Sequence, residues 1–229
     1  MLILADARLP EEALQGLQRL GKLIPFASHG ITYPAISGHP DIFFCPTPQG
    51  LVHAPNTPQA VLKNLQKHGI RLIKGQSPVG AAYPHSAAYN AFANGQYLLH
   101  HPGITDKVLA QQLSHLELLP VKQGYTRCNL VEAGGLYITG DKGIEKALQQ
   151  QGLDIFFTEN KDIILPGSPH GFIGGCAGVH RDVLYLCGSP DHLPHGRELN
   201  EVLRRHSIRL EPLYDGPLWD GGSLLFLED

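Results

Sequence analysis

The same succession of short segments recurs five times along this chain of 229 residues. Segments with the apolar spacing of an amphipathic helix begin near Glu11, Pro58, Ile104, Gly143 and Gly196, at intervals of roughly 40 to 50 residues. The interval that runs from Gly196 through the C-terminus and back to Glu11 has a similar length. The fifth copy is therefore complete only if the two ends of the chain meet.

Each predicted helix lies between two apolar runs, which we interpret as strands because they are short, rich in branched residues and bounded by Gly or Pro. The runs that follow the helices cover residues 22–26, 70–73, 116–121, 153–157 and 208–213. The runs that precede the helices cover residues 51–54, 96–100, 136–139, 183–187 and either 1–5 or 224–227. Small or glycine residues come before these latter runs, which gives the order strand, strand, helix, strand.

Residues at the helix ends support this interpretation. Thr57 followed by Pro58 predicts an N-cap and the first helical position of the second helix. Gly69 and Gly152 stand where helices commonly end in the left-handed conformation.

Units of this kind must pack against each other, because none can bury its own apolar face alone. Five units that close end to end predict an α/β protein in the form of a ring, with helices outside and strand ends converging on a central axis. No linker composition interrupts the sequence, so we predict a single domain over residues 1–229. The alternative is an ordinary doubly wound α/β sheet with some chance regularity.

Composition argues against several classes of function. A hydrophobic content of 42% is enough for a sizeable core, and a net charge of −3 without a run of Lys or Arg gives no footprint for nucleic acid or an anionic membrane. The chain has no signal-peptide pattern at its start and no apolar run of about eighteen residues, which predicts a cytoplasmic protein. Four cysteines without paired zinc spacing and scattered histidines predict free thiols and no metal site.

Three short motifs carry a resemblance to a known superfamily. His39 and Asp41 lie in a His-x-Asp segment followed by aromatic residues, Asp220 opens an Asp-Gly-Gly-Ser segment, and Asp182 ends a His-Arg-Asp segment. These segments resemble the motifs of the pentein or α/β-propeller superfamily of guanidine-modifying enzymes, and their circular order around the five units is similar to that of its deiminases. The resemblance implies the pentein fold, a five-fold α/β-propeller of ββαβ units closed by pairing of the N- and C-terminal segments.

The resemblance leaves two candidates for the nucleophilic cysteine. Counting units from Asp182 through the chain ends to the unit of Asn90 selects Cys128. The glycine-rich segment around Cys176 instead looks like the local motif that carries the deiminase nucleophile. We favour Cys128 and keep Cys176 as the alternative; packing in apolar strands explains the two other cysteines.

The chemistry needs a thiolate to attack the guanidinium carbon, carboxylates to align the planar cation and an acid for the departing amine. The resemblance implies that Cys128 attacks, that His39 transfers protons and that Asp41 binds the cation together with Asp182 or Asp220. It implies neither a cofactor nor a metal. Further candidates for substrate contacts stand at equivalent positions of the units, namely Asn90, Asn129, Glu132 and His170.

The motifs also depart from those of the named deiminases. Asp220 and Ser223 replace two acids, and arginines that would clamp a substrate are not evident. The sequence therefore looks more like an uncharacterised family of this fold, acting as a hydrolase or amidinotransferase on a guanidino or amidino small molecule. The alternatives are a non-catalytic pentein that works by binding, similar to translation initiation factor six, and a small-molecule binder without turnover. Substrate and oligomeric state stay open.

Overall fold

A computed structural model describes residues 1–227, in which fifteen strands form five separate three-stranded sheets. The first sheet joins both ends of the described chain: β1 (Leu2–Asp6), α1 (Glu11–Leu20) and β2 (Lys22–Phe26) are completed by the last strand, β15 (Leu225–Leu227). Leu4 of β1 lies opposite Leu225 in an antiparallel pair, and β1 and β2 are parallel. The predicted closure of the ring by the two terminal segments is confirmed.

The four remaining units repeat this order, with an antiparallel pair, a helix and a parallel third strand. The next unit contains β3 (Phe44–Thr47), β4 (Gly50–His53), α3 (Gln59–Lys67) and β5 (Leu72–Lys74). It is preceded by the one-turn helix α2 (Pro40–Phe43). The third unit contains β6 (Phe92–Ala93), β7 (Tyr97–His100), α4 (Lys107–Gln112) and β8 (Glu117–Pro120).

The fourth unit begins after the one-turn helix α5 (Thr126–Asn129) and contains β9 (Leu130–Ala133), β10 (Leu136–Thr139), α6 (Lys142–Gln149) and β11 (Asp154–Phe157). The fifth begins after a 3₁₀ turn (Gly174–Cys176) and contains β12 (Ala177–His180), β13 (Val183–Leu186), α7 (Gly196–Arg205) and β14 (Arg209–Pro212). Two more 3₁₀ turns cover Pro34–Ile36 and Pro190–His192. Five separate sheets with this order exclude the alternative of one doubly wound sheet.

Helix boundaries differ from the sequence expectations where a side chain caps the first turn. The helix expected near Ile104 begins at Lys107, because the Asp106 carboxylate accepts hydrogen bonds from the backbone N–H groups of Val108 and Leu109 at 2.9 and 3.1 Å. The predicted cap at Thr57 is wrong, since its hydroxyl donates back to the Ala54 carbonyl oxygen at 2.8 Å.

Apolar side chains from neighbouring units pack together, which is what holds the ring. Helix α1 buries Ala13 and Leu17 in a cluster that also contains Val183 and Tyr185 of β13. Burial of an aliphatic side chain of this size stabilises the folded state by roughly 1.5 to 3 kcal/mol. In the described part of the chain, none of the helices has both the length and the apolar character of a membrane span.

The segments that precede the first strand of each unit meet at the centre and are hydrogen-bonded to each other. The backbone N–H of Asp41 donates to the Gly222 carbonyl oxygen at 3.3 Å, and the backbone N–H of Arg127 donates to the Asn90 carbonyl oxygen at 3.0 Å. The Ser223 N–H donates to the Gly175 carbonyl oxygen at 3.0 Å. Residues far apart in sequence therefore share one central region.

Candidate active site

The thiol of Cys128 lies at this centre between a carboxylate and an amide. Its Sγ donates to Oδ2 of Asp41 at 3.0 Å and accepts from Nδ2 of Asn90 at 3.1 Å, while Oδ1 of Asn90 accepts from the Cys128 N–H at 3.1 Å. All three residues are buried. Helices α2 and α5 supply Asp41 and Cys128, and the segment before β6 supplies Asn90.

Burial raises the pKa of the Cys128 thiol well above its ordinary value, and the negative charges of Asp41 and Asp220 raise it further. The hydrogen bond from Asn90 acts in the opposite direction and lowers the same pKa. The raising effects prevail. Cys128 is therefore a protonated thiol at neutral pH in the free protein, and its S–H points to Asp41.

His39 faces the same region and lies close to a second acid. Its Nε2 lies 3.8 Å from Oδ1 of Asp220, and both side chains are buried. Within residues 1–227, neither ring nitrogen of His39 has a hydrogen-bond partner. Burial raises the pKa of Asp220, whereas His39 and the backbone N–H groups of Gly222 and Phe172 lower it. These two N–H groups donate to Asp220 at 3.0 and 2.8 Å, which supports its charged form.

A glycine in the Asp-Gly-Gly-Ser segment allows the backbone of this segment to lie close to His39. Gly222 has φ of 71°, and a Cβ added there would overlap with the side chain of His39. The next residue, Ser223, has φ of 67°, and its Oγ lies 2.8 Å from Oδ2 of Asp41. The Asp-Gly-Gly-Ser segment thus contacts His39 with its backbone and Asp41 with its hydroxyl.

A cavity of about 210 Å³ adjoins His39, Cys128 and Asp220. Its other lining residues are Tyr33, Ile36, Ile42, Tyr125, Leu165, Ser168, Pro169, His170 and Phe172. The hydroxyl of Tyr125 lies 2.6 Å from Oγ of Ser86 and 3.4 Å from the hydroxyl of Tyr33. A small molecule bound here would contact the thiol, the imidazole and a mainly apolar wall.

Three of the central side chains could also bind a metal ion. The ligand atoms of His39, Asp41 and Cys128 all lie within 4.8 Å of one another, and zinc binds these three donor types. Metal binding would have to displace the proton of Cys128, because the ligand is the thiolate. The absence of a metal stays a prediction.

The structure brings six of the ten sequence-predicted site residues to this region. Four of them line the cavity, namely His39, Cys128, Asp220 and His170. The other two, Asp41 and Asn90, contact Cys128 but are not part of the lining. Cys176 is fully buried, does not line the cavity, and donates its S–H to the Phe172 carbonyl oxygen at 3.2 Å.

The other three candidate residues do not line this cavity. Asp182 is exposed in the two-residue turn between β12 and β13, at the far end of this hairpin from the centre. The Glu132 carboxylate accepts a hydrogen bond from the Gly135 N–H at 2.6 Å in the hairpin of β9 and β10. Asn129 donates from Nδ2 to the Tyr125 carbonyl oxygen at 2.9 Å and stabilises α5.

Sequence reasoning missed the aromatic part of the cavity. Tyr33 and Tyr125 each come directly before a short helical turn, Pro34–Ile36 and α5. An aromatic residue that precedes a polar or proline-rich turn next to a motif residue is the signal that could have indicated them.

Five ββαβ units closed by the terminal strands are the pentein fold, and solved structures of that fold are similar to this chain. They include DDAH from Pseudomonas aeruginosa in complex with citrulline (10% identity, 92% of this chain and 91% of that chain covered, TM-score 0.55). They also include C. jejuni agmatine deiminase, at 9% identity with 93% of this chain and 86% of that chain covered and a TM-score of 0.55. A third is the inosamine-phosphate amidinotransferase of Streptomyces griseus, at 14% identity with 91% of this chain and 79% of that chain covered and a TM-score of 0.55.

Residues 4–225 match the model of the family described as a family of unknown function, DUF6873. The chain belongs to this family. The comparison with curated proteins gave no match. The predicted resemblance to an uncharacterised family of the pentein fold is confirmed.

Proposed function

We propose that this protein is a cysteine-dependent hydrolase or amidinotransferase that acts on a guanidino or amidino small molecule. The observation that carries the proposal is the juxtaposition of Cys128, His39 and Asp41, whose reactive atoms lie within 4.8 Å of one another beside a cavity. The names of structural neighbours, a deiminase and an amidinotransferase, support the same reaction class.

Substrate binding would activate the thiol. A guanidinium group near Asp41 offers N–H donors that compete with the S–H of Cys128 for Oδ2, now 3.0 Å away. The positive charge of the substrate also favours the thiolate. The thiol proton then passes to His39, whose ring nitrogens have no hydrogen-bond partner among the described residues.

The reaction follows in two balanced steps. The Cys128 thiolate attacks the central carbon of the cation, the C–N bond to the departing amine breaks, and protonated His39 gives that amine its proton. This leaves a covalent S-amidino adduct. Water or a second amine then attacks the adduct, His39 accepts the proton of the attacking group, and the thiolate of Cys128 leaves.

Asp220 would act as a positioning residue for His39. Its distance of 3.8 Å from Nε2 suits an ion pair when the imidazole is protonated, and two backbone N–H groups hold the carboxylate in place. A protein that works only by binding does not need a thiol, an imidazole and two acids at one point. Cytoplasmic location and independence of metal, nucleic acid and membranes remain part of the proposal.

Alkylation by 2-chloroacetamidine, a cation with the shape of a guanidinium group, tests the proposal. We expect a single adduct in the intact mass of the protein, located on Cys128, and labelling that is much faster than by the neutral isostere 2-chloroacetamide. Cys128→Ser should abolish the adduct and Cys176→Ser should preserve it. Slow and equal labelling of all four cysteines would instead favour a binding protein, and selective labelling of Cys176 would reassign the nucleophile.

A further inference from the structure

The cavity beside Cys128 combines acidic groups with an apolar wall and, within residues 1–227, has no lysine or arginine in its lining. Seven of the lining side chains are apolar or aromatic, namely Tyr33, Ile36, Ile42, Tyr125, Leu165, Pro169 and Phe172. The charged groups at the reacting end are Asp220 and, in contact with the thiol, Asp41. The charge distribution suits a cation at one end of the ligand and offers no lysine or arginine to an anion at the other.

Two arginines lie beside residues that adjoin the cavity lining, but neither lines the cavity. Arg8 is paired with Asp6 at 2.6 Å, and its other N–H groups donate to the carbonyl oxygens of Pro34 and Ala35 at 2.6 and 3.0 Å. Arg127 immediately precedes Cys128 in sequence but lines a different cleft, which it shares with Glu132. Neither guanidinium group lines the cavity beside Cys128.

His170 does not replace the missing cation in its neutral form. Its Nδ1 lies 2.8 Å from the Gly171 carbonyl oxygen, which can only accept, so Nδ1 carries the proton. The remaining nitrogen, Nε2, is then an acceptor and cannot donate to a carboxylate. Ser168 is left as a neutral hydroxyl in the lining.

We propose that the substrate is a guanidine or amidine with an apolar, uncharged substituent, and not a guanidino acid. This inference rests on the proposed function and deepens it. Burial of the substituent against the aromatic wall contributes about 25 cal/mol per Å² of apolar surface. A carboxylate in the same place would lose hydration without gaining a lysine or arginine as a partner and would be repelled by Asp41 and Asp220.

A matched pair of ligands tests the inference. N-butylguanidine and 4-guanidinobutyrate have the same chain, which ends in a methyl group in one and a carboxylate in the other. Binding is measured by calorimetry on Cys128→Ser, which cannot form the adduct, so that the result does not depend on the reaction. We expect N-butylguanidine to bind at least tenfold more tightly than 4-guanidinobutyrate.

A second variant is expected to reduce the preference for N-butylguanidine over 4-guanidinobutyrate. Adding Ser168→Arg to the Cys128→Ser background places a cation in the lining, and we expect it to narrow the ratio between the two ligands at least threefold. Leu118→Arg is the control, because Leu118 is exposed in β8 and does not line the cavity. It should leave the ratio unchanged.

Equal binding of the two ligands, or tighter binding of 4-guanidinobutyrate, would overturn the inference. The proposed function would survive that result if 2-chloroacetamidine still alkylated Cys128 selectively. Conversely, selective binding of N-butylguanidine without alkylation of Cys128 would support the proposed class of ligand and contradict the proposed enzymatic activity.

Discussion

Burial has the largest effect on the pKa of the Cys128 thiol, and two contacts act on this pKa in opposite directions. Asp41, which accepts the S–H at 3.0 Å, raises the pKa of the thiol by its charge, and Asn90, which donates to Sγ at 3.1 Å, lowers it. Burial adds to the effect of Asp41. The thiol therefore stays protonated at neutral pH in the free protein, and we expect it to react slowly with neutral electrophiles.

Asp41→Asn should change the reactivity of Cys128 in opposite directions for two reagents. Removing the charge lowers the pKa of the thiol, so alkylation by neutral iodoacetamide should become several-fold faster at a given pH. Alkylation by cationic 2-chloroacetamidine should become several-fold slower, because the carboxylate that attracts the reagent is lost. Peptide mapping against time measures both rates. A change in the same direction for both reagents would show that Asp41 does not bind the cation.

Asn90→Ala is the complementary variant. Loss of the donor to Sγ raises the pKa of Cys128 further, and we expect both reagents to react several-fold more slowly at neutral pH. The midpoint of the rate against pH should move upward relative to the wild type. An unchanged midpoint would mean that the hydrogen bond from Asn90 has no influence on the thiol.

The residues of the candidate site were predictable where a motif and the unit order agreed. His39, Asp41 and Asp220 satisfied both conditions, whereas Cys128 was selected by the unit order against the local motif at Cys176. The structure places these four side chains together. Asp182 rested on a three-residue match. Its backbone pairs as a tight hairpin turn instead, with Arg181 at φ of 56°. The position of Tyr125 directly before α5 could have indicated it, but that position alone does not separate the wall of a cavity from a core.

At the scale of elements, the segment that opens the last strand is constrained by its close approach to His39. Gly222→Ala would introduce both backbone strain, at φ of 71°, and overlap with His39. Gly135→Ala is the matched control, because Gly135 has φ of 85° but no atom within 4 Å of the added Cβ. We expect Gly135→Ala to cost about 1 kcal/mol in the free energy of unfolding, and Gly222→Ala to cost about 3 kcal/mol.

Urea denaturation measures both costs, and alkylation by 2-chloroacetamidine measures the effect on the site. Gly222→Ala should also slow the alkylation of Cys128, whereas Gly135→Ala should not. Equal destabilisation by the two substitutions would mean that His39 moves away without cost.

The end of β7 makes stability depend on pH. His100 is fully buried, with Nε2 donating to the Gly124 carbonyl oxygen at 2.8 Å and Nδ1 2.7 Å from Oγ1 of Thr105. Burial lowers the pKa of His100 from 6.5 to about 4, although the hydrogen bond to Gly124 raises it. The unfolded chain therefore binds a proton more readily than the folded protein between these two values.

The contribution of His100 to stability is present above pH 6.5 and is lost as the pH falls towards about 4. Its size is about 3 kcal/mol over that window. His100→Gln should flatten the dependence of the free energy of unfolding on pH in this range. His115→Gln, at an exposed position, should retain the slope of the wild type. If the free energy of unfolding of His100→Gln keeps the pH dependence of the wild type, groups other than His100 cause that dependence.

For the whole molecule, the recurrence of apolar segments predicted the number of units, their internal order and the closure by β15 and β1, because each of these follows from burying one apolar face per element. The exact helix starts did not follow, since caps such as Asp106 override the apolar spacing. The prediction of a single domain over residues 1–229 stays a prediction, and residues 228 and 229 lie outside the described part.

Closure of the ring predicts tolerance of circular permutation. Joining the two ends by a short glycine linker and opening the chain between Gly134 and Gly135, in an exposed hairpin turn, leaves every unit with its own strands. We expect this permutant to unfold cooperatively in urea and to react with 2-chloroacetamidine at Cys128 at a rate close to that of the wild type. An unfolded permutant would contradict a ring whose ends are equivalent to its other junctions.

The central claim is that Cys128 forms a covalent adduct with the carbon of a guanidine, and mass spectrometry after rapid acid quench tests it most directly. The protein is mixed with N-butylguanidine, quenched at short times and digested. We expect an adduct on the peptide that contains Cys128, with the mass of the guanidine less ammonia or less butylamine, and no adduct in Cys128→Ser. A bound guanidine that leaves all four thiols unmodified at every time point would contradict it.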